Sequence, residues 1–223
     1  MIGWKSRWYA SKKEFSELLV EDAKIRNYIK NNPAKAHYRN AGIDRIEIER
    51  TRDEVRVTLF VARPGLIIGK KGQDVEILQE DLQNLIGRRV NLKIEEISRP
   101  EIYAQLVAED MAQQISKRSS FRRTMKRAIE TAMDSGAKGI KVQMAGRLGG
   151  AEMARREKAN AGSLPLSTIQ AKIDYGFAEA ATPQGNIGIQ VWINQGSYAG
   201  DASNGADAQA GQAPKKPKRT YKR

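Results

Sequence analysis

The sequence is 223 residues long and sets 39 Lys+Arg against 26 Asp+Glu, a formal net charge of +13, which points to a polyanionic partner rather than a small acidic substrate. With no cysteine and a single histidine, His37, it excludes disulfides, thiolate metal sites and a His-rich zinc cluster, so neither metal nor cofactor is expected. No stretch approaches the ~18 apolar residues of a spanning helix, and Met1-Ile2-Gly3-Trp4-Lys5 lacks a signal-peptide core, so the chain reads as cytoplasmic with no membrane partner.

In chain order, Ser11-Lys12-Lys13-Glu14 has the form of a capping box. Phe15, Leu18, Leu19, Ile25 and Ile29 follow at helical spacing until Asn31-Asn32-Pro33 stops the run. Ile46 and Ile48 then alternate with Arg45, Glu47 and Glu49, and Val55, Val57, Leu59 and Val61 alternate with Arg56 and Thr58. These predict two strands joined by a turn over Thr51-Arg52-Asp53-Glu54. Arg63-Pro64-Gly65 ends the second strand, and Leu66-Ile67-Ile68 predict a short helical turn. Beyond Gly69-Lys70-Lys71-Gly72, Val75, Leu78, Leu82, Leu85 and Ile86 mark an amphipathic helix closed by Gly87. Val90, Leu92 and Ile94 predict a third strand.

A second unit begins near Ser98-Arg99-Pro100-Glu101, another capping-box pattern with proline in the first turn. Helices are predicted over roughly 101–117 and 120–135, the second closed by Gly136. Ile140, Val142 and Met144 predict a strand, Gly146 to Gly150 a flexible loop, and Ala151 to Lys158 a short basic helix. Two further strands are expected from Ile169, Ala171, Ile173 and Tyr175 and from Ile187, Ile189, Val191 and Ile193, with a turn at Gly185-Asn186. The fold class is therefore α+β, with helices on one face of a mostly antiparallel sheet in the second unit. From Gly196 the composition turns to Gly, Ala, Ser and Asn and ends in Lys215-Lys216-Pro217-Lys218-Arg219-Thr220-Tyr221-Lys222-Arg223, a disordered basic tail. The expected domains are 1–98 with a core of about 30–98, 99–195, and the tail 196–223.

Three constellations carry chemistry. Gly69 and Gly72 have no Cβ, so their main-chain N–H groups can approach a sugar-phosphate strand, while Lys70 and Lys71 add charge without reading sequence. The alternative is an ordinary helix-turn-helix corner. At about 100° per residue, Arg122, Arg123, Lys126 and Arg127 fall within an arc of roughly 140°, beside an apolar arc of Met125, Ala128, Ile129, Ala132 and Met133. Like charges at i,i+4 destabilise a free helix unless an anion compensates, which favours a phosphate-binding face over a merely solvated one. Third, Gly146-Arg147-Leu148-Gly149-Gly150 with Arg155 and Arg156 suggests a second RNA-facing loop and helix, the equal alternative being a loop that needs glycine only for positive φ. A P-loop is rejected: Gly65 to Gly69 encloses three residues, not four, and Lys71 stands where Ser or Thr would hold magnesium, so no nucleotide cofactor is expected. No catalytic residues are assigned, and the chain is not expected to be an enzyme.

The order α-β-β-α-(GxxG)-α-β resembles a type II KH domain, with helices packed on a three-stranded sheet. Ala62 to Gly72, Phe121 to Arg127, Gly136 to Val142 and Gly146 to Glu152 together resemble, in order and spacing, the family of small-subunit ribosomal protein three of bacteria. The resemblance runs from about Trp4 to Ile193. The sequence starts at Met1-Ile2-Gly3-Trp4, where family members usually carry a basic Gly/His/Pro segment. The resemblance implies a KH domain and a C-terminal α+β domain seated on ribosomal RNA in the head of the small subunit, beside proteins ten and fourteen. It also implies a place with proteins four and five where messenger RNA enters, with Arg122, Arg123 and Lys126 gripping the message and assisting passive unwinding. A free-standing KH-type regulator and a nucleic-acid repair enzyme or nuclease remain the alternatives.

Overall fold

The structure is a computed structural model that describes residues 4–31, 37–51, 54–69 and 72–198. Lys70, Lys71, the tip of the turn at 52–53, the side chain of His37 and the tail from 199 lie outside the described residues. Among the described residues the strands form two four-stranded sheets, one in each half of the chain.

The N-terminal half runs β1 (Ser6–Arg7), α1 (Phe15–Asn31), α2 (His37–Asn40), β2 (Ile43–Arg50), β3 (Glu54–Val61), α3 (Gly65–Ile68), α4 (Gln73–Ile86) and β4 (Arg89–Glu96). The sheet order is β1-β2-β3-β4, with β2 antiparallel and β4 parallel to β3. Period-two alternation sends Ile46 and Ile48 of β2 and Val55, Val57, Leu59 and Val61 of β3 to the helix side. There they meet Ile25 and Ile29 of α1, Ile67 of α3, and Leu78 and Leu82 of α4 in one buried cluster. The KH-like order is present. The added strand β1 pairs in parallel with β2 through only two residues, too few to leave a periodic signal in the sequence.

A buried charge network holds α1 against this sheet. Both Arg50 Nε and Nη2 donate to Asp22 Oδ1, at 3.0 and 2.6 Å, and Nη1 donates to Glu21 at 2.6 Å. Asp22 Oδ2 accepts from Ser6 Oγ at 2.8 Å and Trp8 Nε1 at 2.9 Å. The fully buried carboxylate is thus satisfied by four donor contacts, which is what makes its burial tolerable. Trp8 packs against Phe15 with ring centroids 5.4 Å apart, so this tryptophan is part of the scaffold.

The C-terminal half comprises a 3-10 turn at Pro100–Ile102, α5 (Ala104–Ser116), α6 (Phe121–Asp134), β5 (Gly139–Gly146), a 3-10 turn at Leu148–Gly150, β6 (Arg155–Gly162), β7 (Ala171–Thr182) and β8 (Gly185–Ser197). The strands order β6-β5-β8-β7, each antiparallel to its neighbours. Helices α5 and α6 cover one face, where Met111, Ile115, Met125 and Ala132 pack on Ile140, Val142, Met144, Ile189, Val191 and Ile193.

Four expectations are corrected. Ala151 to Lys158 is not a helix: Arg155 onward is β6, because pairing with β5 from Gly139↔Gly162 to Gly146↔Arg155 outweighs the helix propensity of Arg, Glu, Lys and Ala. The helix expected from 101 starts at Ala104, whose N–H is accepted by Asp174 Oδ2 of β7 at 2.8 Å rather than capped by Ser98. Gly176 lets that junction close, since a Cβ there would lie 2.3 Å from the Ala104 backbone. The last hairpin turns at Pro183-Gln184, pairing Thr182 with Gly185, and Ile169 precedes β7. Finally, the Gly146 to Gly150 loop is pinned by Leu148, which is buried in the core.

Candidate nucleic-acid interface

The glycine loop sits between α3 and α4. Ile67 is buried beneath it and anchors the turn, and Gly69 N–H donates to Gly65 O at 3.1 Å. Gly69 and Gly72 adopt φ of +69° and +83°, a region costly for residues with a Cβ. Gly69 is doubly constrained: a Cβ there would fall 1.8 Å from Asp74 Oδ2. Asp74 and Glu76 occupy the first turn of α4, where the helix dipole favours acids. The loop conformation therefore demands its glycines whatever it binds.

On α6, Thr124, Met125 and Ala132 are buried while Arg122, Arg123, Lys126 and Arg127 are exposed, so the sequence-derived arc is realised as a surface. Thr124 Oγ1 donates to Ser120 O at 3.1 Å, closing the first turn. One acid does reach the arc: Glu130, four residues after Lys126, lies 3.7 Å from its Nζ in an exposed pair of little energetic weight. Among the described residues no carboxylate pairs with Arg122, Arg123 or Arg127. Arg127 also borders a cleft of about 710 Å³ between the two halves, shared with Arg63 and Lys117.

The third constellation divides. Arg147 acts as a brace, its Nε donating to Ala151 O at 2.9 Å and Nη1 to Gln184 O at 3.2 Å. Because Arg155 and Arg156 lie on a strand, they point to opposite faces of the sheet. Arg155 joins α6: its guanidinium lies 5.5 Å from the Phe121 ring centroid, and Arg122 lies 5.6 Å from the same ring. Phe121 thus gathers a cation from the helix and one from the strand, a role that a single aromatic at a helix start does not announce in sequence. Arg156 goes to the other face, with Lys158 and Lys141.

Where the halves meet, Asp44 and Asp174 approach each other. Burial first, then the Asp174 charge, push the Asp44 carboxyl up to about 6, against the pull of Arg45, Lys5 and Lys30. Burial likewise raises Asp174, opposed by the N–H groups of Ala104 and Tyr175. Sequence spacing could not pair two aspartates this far apart in the chain.

Comparison with known proteins gives a consistent pattern. The family described as KH domain matches residues 24–102, and that described as Ribosomal protein S3, C-terminal domain, matches residues 111–193. The small ribosomal subunit protein uS3 of Rhodopirellula baltica is 76% identical over 221 residues, spanning 99% of this chain and 93% of the relative. That of Desulforudis audaxviator is 51% identical over 193 residues, 86% of each chain. That of Campylobacter lari is 50% identical over 216 residues, 97% of this chain and 91% of the relative.

Proposed function

Because this chain belongs to the small ribosomal subunit protein uS3 family, we propose that it is a structural, non-enzymatic RNA-binding component of the small-subunit head that also grips messenger RNA where it enters. In this reading the chain divides near residue 98. The N-terminal part sits on ribosomal RNA beside proteins ten and fourteen. The C-terminal part reaches the messenger channel beside proteins four and five. Gly69, Lys70, Lys71 and Gly72 hold a sugar-phosphate strand, and Arg147, Arg155 and Arg156 supplement the contacts of the second part.

The observation that carries the reading is the exposed arc of α6, whose Arg122, Arg123 and Arg127 have no carboxylate partner among the described residues and whose Arg122 shares Phe121 with Arg155. Unneutralised cations attract phosphate through released counterions, and a half-buried ring beside them suits an unstacked base better than a duplex. Such a surface holds single-stranded message as it emerges from a hairpin. The work of unwinding comes from movement of the ribosome, and the side chains bias strands against re-annealing.

Ribosomes carrying Arg122→Ala, Arg123→Ala and Lys126→Ala should translate through hairpins several-fold more slowly while moving at normal speed on unstructured message. Codon-resolved translation timing on paired messages checks this. Equal slowing on both would remove the proposal.

A further inference from the structure

The face of the C-terminal sheet that α5 and α6 leave uncovered has a composition unlike a solvated surface. Strand register places its side chains in rows across four strands. Arg156 and Lys158 of β6 stand opposite Ala145 and Gln143 of β5, and Lys141 stands opposite Asn160. Across β5 and β8, Lys141 faces Trp192 and Gln143 faces Gln190. Across β8 and β7, Trp192 faces Tyr175, Gln190 faces Phe177 and Gly188 faces Glu179. Cations therefore lie along one side of the face, amides in the middle and aromatics along the other side.

The contacts agree with that layout. Gln143 Nε2 donates to Gln190 Oε1 at 2.8 Å and Gln190 Nε2 donates to the Tyr175 hydroxyl at 3.3 Å, a chain of polar groups with unused acceptors and donors. Tyr175 and Trp192 are tilted rings with centroids 5.4 Å apart, and Lys141 Nζ lies 4.9 Å from the Trp192 centroid. Tyr175 is 37% exposed and Phe177 44%, although both are large and apolar enough to be buried if the fold had anything to cover them. Lys141, Arg156 and Lys158 have no carboxylate partner among the described residues, and Glu179 at the far edge is the acid of this face.

We propose that this open face is a second RNA site, a platform on which two or three unpaired nucleotides of a single strand stack. Tyr175 and Phe177 are two positions apart on one strand, about 7 Å, with Trp192 beside Tyr175, so three rings present successive surfaces to successive bases. Base–aromatic stacking is tolerant of sequence, and the amide row supplies hydrogen-bond partners for base edges. Lys141, Arg156 and Lys158 run alongside to meet phosphates. A base settling on Trp192 takes the place of the Lys141 ammonium, which is then free to turn to the backbone. The occupant is RNA rather than protein because these three rows offer unneutralised cations and amides around the rings, with Ala145 as their one aliphatic residue and Ile173 and Ala181 only at the two ends of β7. It lies across the sheet from α6 and shares only Arg156 with the contacts proposed above, so it stands independently of the α6 arc.

Ultraviolet cross-linking with peptide mapping tests it, on the full chain mixed with a short oligouridylate and on whole small subunits that contain the chain. The expected result in both is a nucleotide adduct on the peptides holding Tyr175, Phe177 or Trp192. In the full chain, K141Q/R156Q/K158Q should keep its thermal midpoint and lower the slope of log Kd for oligouridylate against log salt by up to about 2, at roughly 0.7 per phosphate contact. F177S should weaken oligouridylate severalfold while leaving inorganic polyphosphate, which has no base to stack, unchanged. An unchanged salt slope, equal loss for both polyanions, or a subunit in which this face cross-links to protein instead of RNA would overturn the proposal.

Discussion

The two sheets are built alike, four strands with helices on one side, yet their open faces treat charge in opposite ways. On the N-terminal sheet, Glu49 stands directly opposite Arg56 and lies 3.8 Å from it, Arg45 pairs with Glu47 at 3.0 Å, Lys93 with Glu95 at 2.7 Å and Arg89 with Glu54 at 3.5 Å. Arg7 from β1 adds contacts to Glu47 and Glu49, and the one large ring, Phe60, is covered by the Arg45 guanidinium at 3.9 Å from its centroid. On that face each of these cations has a carboxylate within 3.8 Å, and the aromatic is capped. On the C-terminal sheet each cation stands opposite a neutral residue or a ring; Tyr175 and Phe177 stay open, and only Trp192 carries a cation, Lys141 at 4.9 Å from its centroid. Cross-strand partners, rather than the number of lysines and arginines, decide whether a basic sheet offers its charge to a polyanion. On the N-terminal sheet face, charge serves cohesion; on the C-terminal one it is available for a ligand.

The largest test of that contrast lies under the N-terminal sheet. Asp22→Ala should destabilise the protein by about 3 kcal/mol or more, since it leaves the buried Arg50 with Glu21 as its one carboxylate and strips Trp8 and Ser6 of their acceptor. Urea denaturation would measure it, and a loss under 1 kcal/mol would mean that the network contributes little to cohesion.

The junction between the halves gives a pH-dependent effect of similar size. Asp44 rises from 3.8 to about 6 on folding, so the folded chain keeps a proton that the unfolded chain has released between about pH 4 and 6. Stability due to this group therefore falls as pH rises through that window, by about 3 kcal/mol at most, and returns on acidification. Asp44→Asn should be the more stable protein at pH 7, with the advantage fading towards pH 4. Urea melts of both proteins across that range check this, and a difference constant with pH would contradict it.

The smallest effect on stability bears most directly on the comparison. Glu47→Gln with Glu49→Gln removes exposed or half-buried pairs worth about 1 kcal/mol together or less, yet it unmasks Arg7 and Arg56 and leaves Arg45 with Asp44 as its carboxylate partner. If neutralisation is what separates the faces, the variant should gain affinity for oligouridylate and a steeper salt slope while melting within a few degrees of the parent. Unchanged binding would show that paired cations were no less available than free ones.

Much of this molecule was legible in one dimension. Val55, Val57, Leu59 and Val61 announce a strand with one buried face, Leu78 and Leu82 announce the inner side of α4, and Gly69 and Gly72 announce a turn that only glycine accommodates. The arc of Arg122, Arg123, Lys126 and Arg127 was equally plain, because helical spacing maps directly onto a surface. What misled was β6. Its run Arg155-Arg156-Glu157-Lys158 is made of good helix formers, and only the exposed edge of β5 makes a strand of it. Once it is a strand, Arg155 and Arg156 part company, and the basic cluster read from adjacency becomes two surfaces on opposite sides of a sheet. The Asp174 cap on Ala104 was hidden for a related reason, since the partners are 70 positions apart and neither carries a local signal.

By itself, then, the sequence determined the elements whose period or glycine content is local: the α+β order, the glycine loop, the apolar cores and the cationic arc of α6. Tertiary structure alone decided which charges cancel, which rings stay uncovered and which acids are pressed together where the halves meet. Those outcomes depend on register between strands and on burial, quantities that arise when distant segments pair and that no spacing along a single segment encodes.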